Sequence, residues 1–475
     1  MALTLVLVPL AGALLLYALP SERWRPALLP VLGAAHLALV TRVLAGGPGA
    51  ASGTWLRVDP LGALLLGVVS VLFAVCSLYA VSYLRLRRDR PNRAFCACLA
   101  LFLAMASLVA LSQHLGLLWV AMEATTLVTA PLIYFNRNQR SIEATWKYLL
   151  ICSVGIALAL LGSFFLSYAA MLGSRDSSLL FSSLTANAGA FSRPWLRAAF
   201  VLLLVGYGTK IGLAPLHTWK PDAYGEAPGL VGALLAGGAT SCAFVALLRV
   251  FHVVDLAGEG AFARRLFVGL GLFSMLWVAV FMARQRDIKR MLAYSSVEHM
   301  GILLVGVGVG GAFAALLHMV TNALVKGWLF LAAGNIHRGF GSKRLRDIAG
   351  AARLLPWSGA LFLLGFLAAA GSPPFGTFVS LFSILGAALA PGRWWVGGAL
   401  LVLLAVTFLG MGSSVVRAFQ GEPPARALDS PHRDRLVGTA PILLLAAVVL
   451  VLGLWLPRSV EELLAAAAAS IGGAP

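Results

Sequence analysis

The stretch LRAAFVLLLVGYGTKIGLAPLHTW, residues 196–219, joins a membrane-length apolar run to a charge and a break. Its first part is hydrocarbon long enough to enter a bilayer. Lys210 lies at the end of that run, and Gly212 and Pro215 then interrupt it. An ammonium group near mid-membrane costs roughly 2.5–3.5 kcal/mol on insertion scales. A residue that expensive is rarely there for packing. It faces a wet cavity, holds a partner, or takes part in moving an ion.

The same apolar character covers the chain. Of its 475 residues 60% are hydrophobic and 11% charged, and the mean hydropathy is +0.90. Soluble domains carry about 25% charged residues. The composition therefore predicts an all-α, polytopic integral membrane protein forming a single transmembrane domain over residues 1–475. Apolar runs of about 20 residues recur. They predict about fourteen helices, near 2–19, 27–44, 60–83, 94–112, 114–135, 145–171, 197–216, 228–253, 265–283, 291–310, 312–334, 355–389, 395–416 and 440–457. The apolar start lacks a basic leader and reads as the first membrane helix.

Loop charge tests this count. Alternate loops, with their flanking helix ends, hold about two thirds of the 36 Lys and Arg. Arg85, Arg87, Arg88, Arg90 and Arg93 are one such group, and Arg284, Arg286, Lys289 and Arg290 another. The positive-inside rule places these loops in the cytoplasm and both termini on the other side. The net charge of +18 is then topological, and its scatter over short loops excludes a nucleic-acid face. The five cysteines (Cys76, Cys96, Cys98, Cys152 and Cys242) all fall in apolar runs and read as packing residues.

Gly212-Leu-Ala-Pro215-Leu-His-Thr218-Trp219 resembles Gly371-Ser-Pro-Pro374-Phe-Gly-Thr377-Phe378. An odd number of helices separates them, so the two motifs point in opposite directions. Paired broken helices of this kind mark inverted repeats and ion sites in transporters. The expectation is two five-helix repeats, helices 4–8 (about 94–253) and 9–13 (about 265–416), with helices 7 and 12 broken.

Few ionisable residues fall inside apolar spans. Glu123 has hydrocarbon on both sides. His318, Asn322 and Lys326 recur every fourth residue and so share one helix face. A histidine titrates near neutral pH, so such a stripe can pass protons. Glu143 and Lys147 form an i, i+4 pair, suited equally to an interfacial salt bridge or a relay. Glu298, at the predicted start of helix ten, and His217, beside the break, complete the candidates for proton translocation. Arg249 and His36 read as interfacial. No nucleotide, zinc or iron–sulfur motif is present, so no cofactor or metal site is expected.

These residues resemble the antiporter-like membrane subunits of respiratory complex I, Mrp-type antiporters and group 4 nickel–iron hydrogenases. The resemblance rests on WVAMEATTL (119–127), PLHTWKPDA (215–223), RDIKRMLAYSSVEHMG (286–301), HMVTNALVKGWLFLAAG (318–334) and GSPPFGTF (371–378). Residues 119–135 and 143–162 look most like hydrogenase-4 component F. The resemblance implies a functional Glu123–Lys210 pair and a polar stripe at His318, Asn322 and Lys326. It also implies a subunit without a redox centre of its own, in a bacterial or archaeal inner membrane. There it would couple NADH-oxidising or nickel–iron and iron–sulfur chemistry on other subunits to proton or sodium transport. Other readings stay open: a secondary Na+/H+ antiporter, an energising partner in inorganic-carbon uptake, or a structural arm that does not pump. Three departures bear on this. Ala236 stands where complex I relatives have a histidine, Asn322 stands for a second histidine, and Leu381 stands where relatives carry a charge after the helix-twelve break.

Overall fold

The computed structural model describes residues 2–46, 53–174, 177–390 and 392–472. Among them there is no strand. Six helices come first: α1 (Thr4–Ala18), α2 (Trp24–Ala45), α3 (Pro60–Arg85), α4 (Arg93–Leu111), α5 (Leu115–Ile133) and α6 (Gln139–Ser174). α7 is in two pieces, α7a (Arg193–Ile211) and α7b (Trp219–Glu226). α8 runs through Gly229–Ala233, a π-helical stretch Leu234–Ala239, and Thr240–Val254. α9 (Gly260–Met282), α10 (Ile288–Gly308) and α11 (Ala312–Phe340) follow. α12 is again split, into α12a (Pro356–Ala369) and α12b (Gly376–Ala388). α13 (Trp394–Phe419), α14 (Leu436–Leu454) and α15 (Arg458–Ala469) close the chain. The helices up to α14 answer to the fourteen expected spans.

Local chemistry fixes the ends. Asp59 caps α3 by accepting from the Gly62 amide at 2.9 Å, with Pro60 in the first turn. Asp287 caps α10 through the amides of Lys289 (2.8 Å) and Arg290 (3.1 Å). That cap starts α10 at Ile288, so Glu298 lies at mid-helix, buried, and not near an end as its sequence position suggested.

Small residues bring helices together where no hydrophobic force between them exists in lipid. A Cβ on Gly206 of α7a would lie 2.6 Å from the Ala159 amide and the Gly155 carbonyl of α6. This close approach holds the Lys210 end of α7a against α6. Gly271 of α9 and Gly301 of α10 meet the same way: a Cβ on Gly271 would be 2.6 Å from the Gly301 carbonyl.

Both breaks begin at a left-handed glycine, Gly212 (φ 82) and Gly371 (φ 73), and both contain a cis peptide before proline, Ala214–Pro215 and Pro373–Pro374. Along the chain α4 packs on α5, α5 on α6 and α6 on α7a, and α9 packs on α10, α10 on α11 and α11 on α12a. The free carbonyls at the end of α7a find donors. Gly208 accepts from Leu213 at 2.9 Å, Thr209 from the Trp219 indole at 2.9 Å, and Ile211 from the Lys220 ammonium at 2.7 Å.

Two sequence expectations fail here. Arg249 does not reach for the interface. It is buried, paired with Asp59 at 2.7 Å, and donates to the carbonyls of Ala110 (2.6 Å), Ser112 (2.5 Å) and Val109 (3.2 Å) at the end of α4. A guanidinium carries five donors in a fork, which suits a helix end with several unpaired carbonyls. His36 is likewise buried, between Ser70 (2.9 Å) and Ser107 (3.1 Å).

Candidate functional site

The first cluster lies between α5, α6 and α7a. Glu123 accepts from Ser153 of α6 at 2.8 Å and from Thr126, one turn along α5, at 3.3 Å. Lys210, 4% exposed, donates to the same Thr126 hydroxyl. Its ammonium also lies 5.5 Å from the ring centroid of Tyr148, a cation–π contact. Tyr148 in turn bonds Thr129 at 2.7 Å. Glu123 and Lys210 are thus brought together through a shared hydroxyl rather than as a direct ion pair.

The second cluster joins α10, α11, α12b and α13. Lys326 sits in the middle of α11, fully buried and too deep to snorkel, and donates to Ser295 of α10 at 2.7 Å. One turn along α10, Glu298 accepts from Thr407 of α13. Its neighbour His299 meets His318 of α11 ring to ring, Nδ1 to Nε2 at 2.9 Å. The far nitrogen of His318 bonds Ser380 of α12b at 2.9 Å. Asn322 shares the buried face of α11, yet its carbonyl oxygen has no partner. The links run across helices, not along the α11 stripe.

After the α12 break, the side chain that joins this cluster is Ser380. Leu381 beside it is buried, and its Cδ1 lies 2.4 Å from where a Cβ on Gly371 would sit, so it fills the break. Ala236 lies in the π-helical stretch of α8, fully buried.

The remaining candidates lie outside the two clusters. Lys147 pairs with Glu143 at 2.6 Å and with Asp222 of α7b at 3.0 Å, and Asp222 also pairs with Arg290 of α10 at 2.5 Å. Lys147 and Glu143 are largely exposed, so this is an ion-pair lattice at one end of the bundle, tying α6, α7b and α10 together. His217 is buried edge-on to Trp277 (5.8 Å) and Tyr294 (6.0 Å), and its Nδ1 has no partner.

The sequence reading missed Ser153, Thr126, Ser295, Ser380 and Thr407, and did not single out His299 as a link. Hydroxyl residues in an apolar helix ordinarily bond the carbonyl a turn behind them. Only packing shows which of them also face a charged partner. The five cysteines are free, four of them buried and Cys98 partly so. No cluster able to hold a metal occurs among the described residues.

Comparison with known proteins shows the family of the chain. Residues 112–408 match the family described as "NADH:quinone oxidoreductase/Mrp antiporter, TM". A hydrogenase-4 component F homolog of Methylacidiphilum infernorum is 36% identical over 74% of this chain and 74% of its own length. The NADH-quinone oxidoreductase subunit N of Desulforudis audaxviator is 34% identical over 85% of this chain and 82% of its own. Among solved structures, a chain of respiratory complex I from Thermus thermophilus superposes with a TM-score of 0.80 at 27% identity. That match covers 98% of this chain and 100% of the other. A chain of the Mrp complex from a Dietzia species gives a TM-score of 0.86 at 23% identity, over 98% and 97%. The chain belongs to the NADH:quinone oxidoreductase/Mrp antiporter transmembrane family. It is an antiporter-like, multi-pass membrane subunit of the kind that works beside other membrane subunits in complex I-like, group 4 hydrogenase-like and Mrp-like assemblies.

Proposed function

We propose that this chain carries protons across the membrane through its two buried polar clusters, driven by redox chemistry on other subunits. The single observation that carries the reading is the set of cross-helix polar links: Glu123–Thr126–Lys210 in one cluster, and Lys326–Ser295, Glu298–Thr407 and His299–His318–Ser380 in the other. Each cluster sits beside a broken helix, and each half of the proposed inverted repeat (about 94–253 and 265–416) supplies one.

The chemistry follows from the residue types. In its charged form Lys210 is held by the Thr126 hydroxyl and by the field of Glu123. When a change elsewhere weakens that pairing, the ammonium loses a partner and its proton is released inward. In the second cluster each imidazole has one nitrogen facing the next group, so a proton added at one nitrogen can leave from the other. Glu298 supplies the negative charge near Lys326. Lysines in the file repel a sodium ion, which supports the proton as cargo.

The peripheral module belongs to the same proposal: a nickel–iron and iron–sulfur, or NADH-oxidising, unit reached through neighbouring membrane subunits of a bacterial or archaeal inner membrane. So does the orientation, with the Lys147–Asp222–Arg290 lattice toward the cytoplasm and both termini outside, as supported by loop charge.

The test is purification of the native assembly through a tag on this chain. Co-purification of redox subunits carrying iron, with proton uptake into vesicles during electron transfer, is the expected result. Sodium–proton exchange catalysed by this chain alone in liposomes contradicts the proposal.

A further inference from the structure

A third buried lysine lies between the two clusters. Lys220, at the start of α7b, is fully buried. Its ammonium makes one hydrogen bond, 2.7 Å to the Ile211 carbonyl, and no carboxylate pairs with it among the described residues. Lysine offers three donors. A static ammonium here would leave two of them without acceptors in a low-dielectric interior, which is costly. Capping one carbonyl does not account for that expense.

Its position is the second observation. Lys220 threads back across the α7 break so closely that a Cβ on Gly212 would lie 2.6 Å from its Cδ and 3.1 Å from its Nζ. Its ammonium is 5.6 Å from the ring centroid of Tyr224. Tyr224 packs edge-on against Phe330, one turn beyond Lys326 on α11, at 5.5 Å. On the other side Trp219 packs at 5.1 Å on Tyr148, the ring that holds Lys210. Lys220 therefore stands between Lys210 and Lys326, about one aromatic layer from each. The Tyr224 hydroxyl is buried without a protein partner. The π-helical stretch of α8, Leu234–Ala239, carries no polar side chain.

We propose that Lys220 is a proton-carrying station between Lys210 and Lys326, supplied by α7b where α8 offers no polar side chain at Ala236. This rests on the proton-translocation reading above. A proton received from the Lys210 side makes Lys220 an ammonium. Its field acts on Lys326 through a poorly screened interior and favours passage of a proton from Lys326 toward Ser295, Glu298 and His318. The Lys220 proton then passes to the vacated Lys326 amine, and the Lys220 amine is restored.

The test is the proton-to-electron ratio of the intact complex in inverted membrane vesicles, driven by NADH, hydrogen or reduced viologen in turn. Lys220→Arg keeps a donor and a permanent charge but does not deprotonate. It is expected to assemble and to lose translocation at least about tenfold. Lys220→His keeps a titratable group and is expected to retain part of the ratio, with a pH profile moved to the acid side. Full translocation by Lys220→Arg overturns the inference. Lys210→Ala is run alongside: its failure to translocate shows that the wider reading holds even when Lys220→Arg is fully active, whereas its full activity overturns that reading instead. If Lys220→Arg does not assemble, Lys220→Gln decides on the same readout, with loss supporting the station and a wild-type ratio overturning it.

Discussion

Glu123 and Lys210 meet through one hydroxyl. Thr126 donates to the Glu123 carboxylate at 3.3 Å while it accepts from the Lys210 ammonium. A bridged pair differs from a contact ion pair in what controls it. A small movement of α5 against α7a breaks the bridge without separating two charges in full contact. The interaction can therefore be switched by an event at a distance, at less cost than pulling apart a direct buried salt bridge.

This makes Thr126 a control point. Thr126→Val keeps the shape and removes the hydroxyl. A hydrogen bond to a charged group is worth about 1.5–3 kcal/mol, so translocation should fall roughly tenfold or more. Thr126→Ser should keep most of it. The measurement is proton uptake into inverted vesicles, normalised to the amount of assembled chain.

The histidine pair is the narrow point of the second cluster. His299 is the only α10 partner of His318 among the described hydrogen bonds. His299→Phe preserves ring volume and removes both nitrogens, so the proton-to-electron ratio should fall while electron transfer continues. Ser380→Ala should lower it less, because His318 keeps its α10 partner. Equal ratios in wild type and His299→Phe would remove this pair from the pathway.

Arg249 tests the fold apart from the transport. It holds three carbonyls at the end of α4 and the Asp59 cap of α3, all largely out of water. Removing one partner of a buried charge pair costs about 3–5 kcal/mol. Arg249→Ala should therefore lower membrane abundance and the thermal stability of the chain in detergent. Arg249→Lys should not restore them, since one ammonium does not span the four acceptors.

Much of this was legible in the residues, for physical reasons. A bilayer imposes span length and an excess of positive charge on alternate loops, so the fourteen helices follow from hydropathy and charge. Gly212 and Gly371 announced the breaks because only glycine takes a left-handed backbone at no steric cost. Glu123, Lys210, His318 and Lys326 stood out because charge in hydrocarbon is expensive. What stayed hidden was every link between helices far apart in sequence. Thr126, Ser295, Ser380 and Thr407 look like ordinary helix hydroxyls until packing turns them toward a charged neighbour. Arg249 was misread for the same reason: its four acceptors come from α3 and α4, well over a hundred residues away in sequence. Lys220 sat one residue beyond the Gly212–Trp219 match, and only the folded break shows that it is buried.

The proposed pathway depends on Lys210 being a moving charge rather than a static packing charge. The direct measurement is the proton-to-electron ratio of the intact complex carrying Lys210→Ala, with assembly verified by co-purification. The expected result is a complex that still transfers electrons but has lost most of its proton translocation through this subunit. A fully assembled Lys210→Ala complex that translocates protons at the wild-type ratio would contradict it.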